Sequence, residues 1–216
     1  RETITRTVTS VGKYIKQSGG HGQYGHVVLQ VSPVEGVEFV FENKIIGGAI
    51  PREFISSIET GIKETMEKGV VLGYPLVNIK VELLDGSYHE VDSSEMAFKL
   101  AASMGLKEAV RKANPVILEP IMKVDINVPN ESLGAVIGDV SSRRGRIADI
   151  GERNEFKSIV AYIPLEEMFG YTTHLRSATQ GRGYFSMEFF HYAPVPKFIY
   201  DNLIKNREKT VTEVLY

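Results

Sequence analysis

The sequence has no cysteine in 216 residues. That excludes a disulfide scaffold, a cysteine-ligated zinc site and a cysteine nucleophile together, and it fits a reducing compartment. There is no apolar run of membrane-spanning length and no signal-peptide pattern at the start. The Walker string G-x-x-x-x-G-K-[ST], whose lysine and hydroxyl meet phosphate and magnesium, is missing, which argues against a nucleotide-hydrolysis site within these residues. None of the five histidines stands in a metal-ligand spacing such as H-E-x-x-H. Nor does one charge dominate: the formal net charge is −2, so any nucleic acid must be met through local patches rather than a global field. Internal repeats and low-complexity tracts are also absent.

What remains is a composition of 43% hydrophobic and 24% charged residues, that of an ordinary globular protein, long enough for one large domain or two modest ones. The most informative stretch is Ser18-Gly-Gly-His-Gly-Gln-Tyr-Gly25, with four glycines in eight residues. Such a loop folds tightly and brings its backbone close to another molecule. His21, Gln23 and Tyr24 among the glycines are side chains that hydrogen-bond to or stack on RNA. A glycine-rich hairpin without a ligand fits the stretch equally well.

The pattern predicts an α+β protein of two modules, divided near Leu118-Glu-Pro120. In the first, residues 2–17 read as a long exposed strand, His26–Val31 and Val37–Phe41 as further strands, and Pro51 as the opening of a helix that Gly69 ends. Val77, Ile79, Val81 and Leu83 alternate as a half-buried strand. Asp85-Gly86 predicts a turn, Asp92 with Glu95 a capping box, and Met96, Ala97, Leu100, Ala101 and Met104 the inner face of the next helix, which Asn114-Pro115 stops.

In the second module Met122, Val124, Ile126 and Val128 alternate strictly. Asn130 is expected to cap a helix. Strands at 146–153 and 157–163, a helix at 165–178 and a strand with Phe185, Met187 and Phe189 inward complete a β-α-β-β-α-β order, the split βαβ or ferredoxin-like sandwich. A final amphipathic helix is expected at 197–208.

Three other places invite a functional reading. His89 lies among carboxylates in Tyr88-His89-Glu90-Val91-Asp92, as a general base or as a displayed polar contact. Ser141-Ser-Arg-Arg-Gly-Arg146 is the densest cationic spot. Arg143, Arg144 and Arg146 suit phosphate clamping, although cations at a helix C-terminus also suit the macrodipole. Ser177-Ala-Thr-Gln-Gly-Arg-Gly183 is a polar αβ loop whose backbone N–H groups, with Arg182, could face an RNA phosphate.

Taken in order, these segments resemble the C-terminal part of the elongation factor G family, bacterial translocase GTPases. The likeness rests on Arg1-Glu-Thr-Ile4, Gly19-Gly-His-Gly-Gln-Tyr-Gly25, Asp85-Gly-Ser-Tyr-His-Glu-Val-Asp-Ser-Ser-Glu95, Leu118-Glu-Pro-Ile-Met122, Ser142-Arg-Arg-Gly145 and Thr179-Gln-Gly-Arg182, and it runs to about residue 209. Family members often carry arginine where His21 stands, and the run Arg146–Arg153 departs from the usual continuation.

The resemblance implies a fourth-domain-like module at 1–118, ribosomal protein S5-like with a left-handed βαβ crossover, and tip loops at 18–25 and 85–92. It implies a ferredoxin-like fifth domain at 119–196, a helix at 197–209 packing back on the first module, and a tail at 210–216. Gly19, Gly20, His21, Gly22, Gln23, Tyr24, Ser87, Tyr88 and His89 would then meet the codon–anticodon duplex at the decoding region, beside tRNA and mRNA. Arg143, Arg144, Arg146 and Arg182 would meet large-subunit rRNA near the stalk base. The fragment would be a cytoplasmic monomer without catalytic residues, cofactor or metal of its own. GTP and magnesium would belong to domains preceding Arg1, in keeping with a chain that opens without methionine, directly into strand-like alternation. Three other readings stay open: a recycling or divergent paralogue, a ribosome-protection protein, and a hydrolase using His89 with Glu90 or Asp92.

Overall fold

The computed structural model describes residues 1–214, with side chains described to residue 210. It divides into two compact units, Arg1–Ile117 together with the chain from Val195 onward, and Leu118–Pro194. Each combines helices with a sheet, an α+β architecture.

The first unit runs β1 (Glu2–Thr3), β2 (Val8–Lys16), β3 (Gln23–Pro33), β4 (Phe39–Asn43), α1 (Ile55–Lys68), β5 (Ile79–Ser87) and α2 (Glu95–Lys112). Its four-stranded sheet has the order β2-β3-β5-β4, antiparallel except for the β4–β5 pair, which α1 joins. Period-2 alternation turns Val27, Leu29 and Val31 of β3 and Ile79, Val81 and Leu83 of β5 into the core. Helical periodicity sets Ile58, Ile62 and Met66 of α1 and Phe98, Ala102 and Leu106 of α2 against them. Pro51 precedes a 3-10 turn at Arg52–Phe54 that leads into α1, and Gly69, at φ 72°, ends that helix.

Residues 2–17 are two strands rather than one. Ile4 turns into the core, the N–H groups of Thr5 and Arg6 both donate to the Ala113 carbonyl, and β1 pairs with residues 116–117 instead of continuing into β2. Glu2 is fully buried. Its carboxylate accepts hydrogen bonds from five consecutive backbone N–H groups, those of Val70, Val71, Leu72, Gly73 and Tyr74, at 2.6–3.2 Å. Successive N–H groups pointing into one concavity form an anion nest, here filled by the chain's own carboxylate.

Asp85-Gly86 makes no turn. β5 continues through it, pairing Val28 with Asp85, Val27 with Gly86 and His26 with Ser87, and a bulge at Leu84 absorbs the irregularity. The capping box is displaced too: Ser94 is the N-cap of α2, accepting from the Ala97 N–H at 3.1 Å, so Asp92 is released for another partner. Of the five residues expected on the inner face, Ala97 and Ala101 are buried, Leu100 is half-buried, and Met96 and Met104 are exposed; Phe98, Ala102 and Gly105 also face inward. Close backbone approach marks that face. A Cβ on Gly12 of β2 would lie 1.9 Å from the Ala101 carbonyl oxygen, so small residues must line the contact.

The second unit is built from β6 (Val116–Pro129, from Leu118 on), α3 (Leu133–Ser142), β7 (Arg146–Arg153), β8 (Phe156–Pro164), α4 (Tyr171–Ala178) and β9 (Tyr184–Pro194). Its strands pair antiparallel in the order β9-β6-β8-β7, the ferredoxin-like arrangement. Val124, Ile126, Val128, Ile159, Ala161 and Ile163 form the core with Val136, Val140, Tyr171 and Leu175.

Asn130 begins a 3-10 turn ahead of α3, which no side chain caps. The helix expected at 165–178 is broken: a 3-10 turn at Leu165–Met168 gives way to an extended Phe169, and Gly170, at φ 76°, restarts the chain into α4. Of the three residues expected inward on β9, Phe185 meets Tyr171 edge-on at 4.9 Å, while Met187 and Phe189 remain about half exposed on this edge strand.

The chain ends in α5 (Lys197–Val214). It runs beyond residue 209, so the expected tail is helical as far as Val214; residues 215–216 lie outside the described residues.

Candidate nucleic-acid interface

Strand register brings four chain ends to one place. Lys16 at the end of β2 pairs with Gln23 at the start of β3, His26 pairs with Ser87 at the end of β5, and Tyr24 bridges to Ser93 just before α2. The loops 17–22 and 88–93 therefore lie side by side.

Their backbones are fastened together. The Tyr24 N–H donates to the Asp92 carbonyl at 2.9 Å, and the Ser93 hydroxyl donates to the Tyr24 carbonyl at 2.9 Å. The Gly22 N–H donates to the Asp92 carboxylate Oδ1 at 3.1 Å. A Cβ on Gly22 would lie 2.9 Å from Asp92 Oδ2 and 3.1 Å from the Lys16 carbonyl oxygen, so any side chain here pushes against the Asp92 carboxylate. Below the tip, the Ser87 hydroxyl sits between the Tyr24 hydroxyl at 2.7 Å and His26 Nδ1 at 2.8 Å. Burial, reinforced by the positive charge of Lys13 and opposed by Asp85, lowers the His26 pKa and keeps the ring neutral near pH 7.

His89 is exposed, with its Nδ1 turned back into the loop. The N–H groups of Val91 and Asp92 point at that nitrogen at 3.4 and 3.3 Å, and Asp92 Oδ2 lies 3.6 Å away. The hydrogen-bond pattern assigns the lone pair to Nδ1 and the proton to Nε2. The Tyr24 and His89 rings stand 6.3 Å apart, tilted by 52°. Gly19, Gly20, His21 and Tyr88 are exposed around them, and Gly22, Gln23, Tyr24 and Ser87 are partly exposed. The tip is thus a small open surface bearing amide, hydroxyl, imidazole and glycine backbone, the groups that meet ribose, phosphate and base edges.

The arginines behave differently from one another. Arg143 is bound by Asp139 at 2.9 Å and the Glu167 carbonyl at 2.6 Å, with its guanidinium 4.9 Å from the Tyr171 ring centre. Arg144, at φ 57°, meets both oxygens of Glu119 at 2.7 and 3.0 Å and Glu167 at 3.0 Å; the Glu119 hydrogen bonds raise its already high pKa. Both charges are matched inside the unit and fix the turn after α3. Arg146 is exposed and lies over Tyr162 at 5.4 Å, and Arg182 is half exposed beside Glu131. Nothing in the sequence linked Glu119 or Glu167 to Arg144; only the fold brings them together.

Among the described residues, no group of three or more histidines and carboxylates could hold a metal ion, and no helix is long and apolar enough to cross a membrane.

Residues 1–114 match the family model for elongation factor G, domain IV, and residues 116–203 match that for the elongation factor G C-terminus. The chain belongs to the elongation factor G family. A crystal structure of a protein from Thermus thermophilus superposes with a TM-score of 0.84 at 42% identity, over 97% of this chain and 31% of that one. The chain therefore spans about a third of the length of that relative. Within the elongation factor G family it corresponds to the C-terminal arm, and the stapled loops described above belong to its domain IV.

Proposed function

We propose that this chain is the arm through which a translational GTPase promotes movement of tRNA and mRNA on the ribosome. It carries no covalent chemistry. The observation that bears most of the weight is the joining of the two loops into one tip, with Gln23, Tyr24 and His89 displayed together. In this reading the tip contacts the codon–anticodon duplex in the decoding region. Contacts to backbone, 2′-hydroxyl and shallow-groove edge suit a protein that must accept every codon, because those features are common to all A-form helices.

The second unit faces large-subunit rRNA near the stalk base through Arg146 and Arg182, with Arg143 and Arg144 shaping the loop from which Arg146 projects. Those contacts weaken as salt rises. GTP and magnesium act in another domain of the complete factor, and hydrolysis there biases which arrangement of the arm is favoured. The setting is cytoplasmic.

The test is single-round translocation by the complete factor carrying Gln23→Ala or His89→Ala. Misplacing a positioning group costs on the order of 10- to 100-fold in rate, and a slowing of that size is expected for each variant. Unchanged translocation by both variants would refute the assignment of the tip.

A further inference from the structure

We propose that Asp92 is the positioning residue of the tip: its carboxylate holds the first loop in register with the second, so that Gln23 and His89 reach RNA as one preformed surface. The inference rests on the reading of the tip as the RNA-contacting end.

Asp92 spans both loops. Its backbone carbonyl accepts from the Tyr24 N–H at 2.9 Å, and its side-chain Oδ1 accepts from the Gly22 N–H at 3.1 Å. Its own N–H turns towards His89 Nδ1 at 3.3 Å, and its Oδ2 lies 3.6 Å from the same nitrogen. One residue thus touches the first loop on one side and the His89 imidazole on the other.

The carboxylate is about three-quarters buried, at 24% side-chain exposure, whereas the His89 side chain beside it is 56% exposed. Such a group is poorly placed to touch RNA itself and well placed to act through its neighbours. Around it, the Ser93 hydroxyl accepts from the His89 N–H at 2.8 Å and donates to the Tyr24 carbonyl, closing the second loop on itself and on β3. The first loop has no equivalent internal tie among the hydrogen bonds described above; its hold is the Gly22–Asp92 bond and the pairing of Lys16 with Gln23.

Pinning Nδ1 inward also decides what His89 offers. The proton stands on Nε2, so the ring presents a donor, and its complement on RNA is an acceptor oxygen of ribose or phosphate. A loop that swung free would lose that orientation and would have to be ordered on each encounter.

The experiment is single-round translocation by the complete factor, titrated against ribosomes, for Asp92→Ala, Asp92→Asn, Gly22→Ala, His89→Ala and the double variant Asp92→Ala/His89→Ala. Asp92→Ala is expected to lower the maximal rate by about tenfold, at the lower end of what misplacing a positioning group costs, with the half-saturating ribosome concentration unchanged. Asp92→Asn keeps an acceptor for the Gly22 N–H, and its amide can donate to Nδ1, so it should restore the rate. Gly22→Ala drives a methyl against the same carboxylate and should reproduce the loss without touching Asp92. The double variant should be no slower than the slower single one, since both act through one surface.

A wild-type rate for Asp92→Ala beside a slow His89→Ala overturns the positioning role and leaves the tip assignment standing. An Asp92→Asn variant as slow as Asp92→Ala overturns it as well, because charge rather than the staple would then matter. Wild-type rates for His89→Ala and Asp92→Ala together overturn the positioning role, and the tip assignment falls with it where Gln23→Ala is unchanged too. Should Asp92→Ala fail to fold, Gly22→Ala and Asp92→Asn carry the same decision.

Discussion

Replacing Glu2 by alanine isolates what one buried carboxylate contributes to the first unit. Its two oxygens serve the N–H groups of Val70 to Tyr74, with Leu72 the shortest at 2.6 Å. A hydrogen bond to a charged group contributes about 1.5–3 kcal/mol, but a plain sum over five donors overstates the loss. The donors share two acceptor atoms, and the loop 70–74 is partly exposed, so water replaces part of what is removed. With the carboxylate gone no charge is left behind, only neutral N–H donors at about 1–3 kcal/mol for each that water does not reach, so a net loss of about 3 kcal/mol is expected, equivalent to two or three such donors.

Glu2→Gln tests the same cradle more gently. With its oxygen in the place of Oε1 it still serves Val71, Leu72, Gly73 and Tyr74, while its NH2 meets the Val70 and Val71 N–H groups donor to donor. A cost of about 2–3 kcal/mol follows, the penalty of one lost charge-assisted contact and unsatisfied donors. Urea unfolding reads both variants. With a slope of about 1–3 kcal/mol per molar, the alanine variant's midpoint should fall by at least about 1 M. Residue-resolved hydrogen exchange must accompany it, because two units need not unfold together. An alanine variant within about 0.5 kcal/mol of wild type, a surface-like effect, with unchanged exchange at 70–74, would refute the reasoning.

Two further outcomes follow from buried polar groups. The Tyr171 hydroxyl is buried without a partner among the described residues, and burial, with Asp139 nearby, pushes its pKa up; Tyr171→Phe should therefore be neutral or stabilising by about 1 kcal/mol in thermal unfolding, and a loss of that size would show that the hydroxyl is satisfied. For His26 the folded pKa is lowered, chiefly by burial. The unfolded chain then binds the proton more readily below about pH 6.5, so stability should fall as pH drops through that value and be fully present above it. The same acid loss in His26→Gln would assign it to other groups.

The large divisions were legible because they rest on periodicity. Alternation at Val77–Leu83 and Met122–Val128 marks strands with one buried face, and that pattern survives any tertiary detail. The failures share another cause. Asp85-Gly86 has the composition of a turn, but its neighbours on β3 keep β5 paired through a bulge. Met96 and Met104 are hydrophobic, yet the face of α2 that turns inward is the one where Ala101 and Gly105 admit the close approach of Gly12, with Phe98 and Leu106 buried beside them. At the tip, Gln23, Tyr24 and His89 could be named from side-chain chemistry, whereas Asp92 looked like a helix cap. Only the pairing of distant segments gives its carboxylate to Gly22. Arg143 and Arg144 illustrate the converse, cations whose charge is taken up inside the fold: Arg143 by Asp139 one turn back, Arg144 by Glu119 and Glu167 far along the chain.

The glycine contacts beneath α2 have a mechanical consequence. A Cβ on Gly25, just behind the tip, would lie 2.5 Å from the Ala97 carbonyl oxygen in the first turn of α2, and Gly12 sits closer still beneath Ala101. Strand and helix therefore bear on one another backbone to backbone, with no rotatable side chain between them to yield. A load applied at the tip passes into the helix with little slack, as it would through a splinted rod rather than a cushioned joint. That stiffness is built from two residues that contribute no side chain at all.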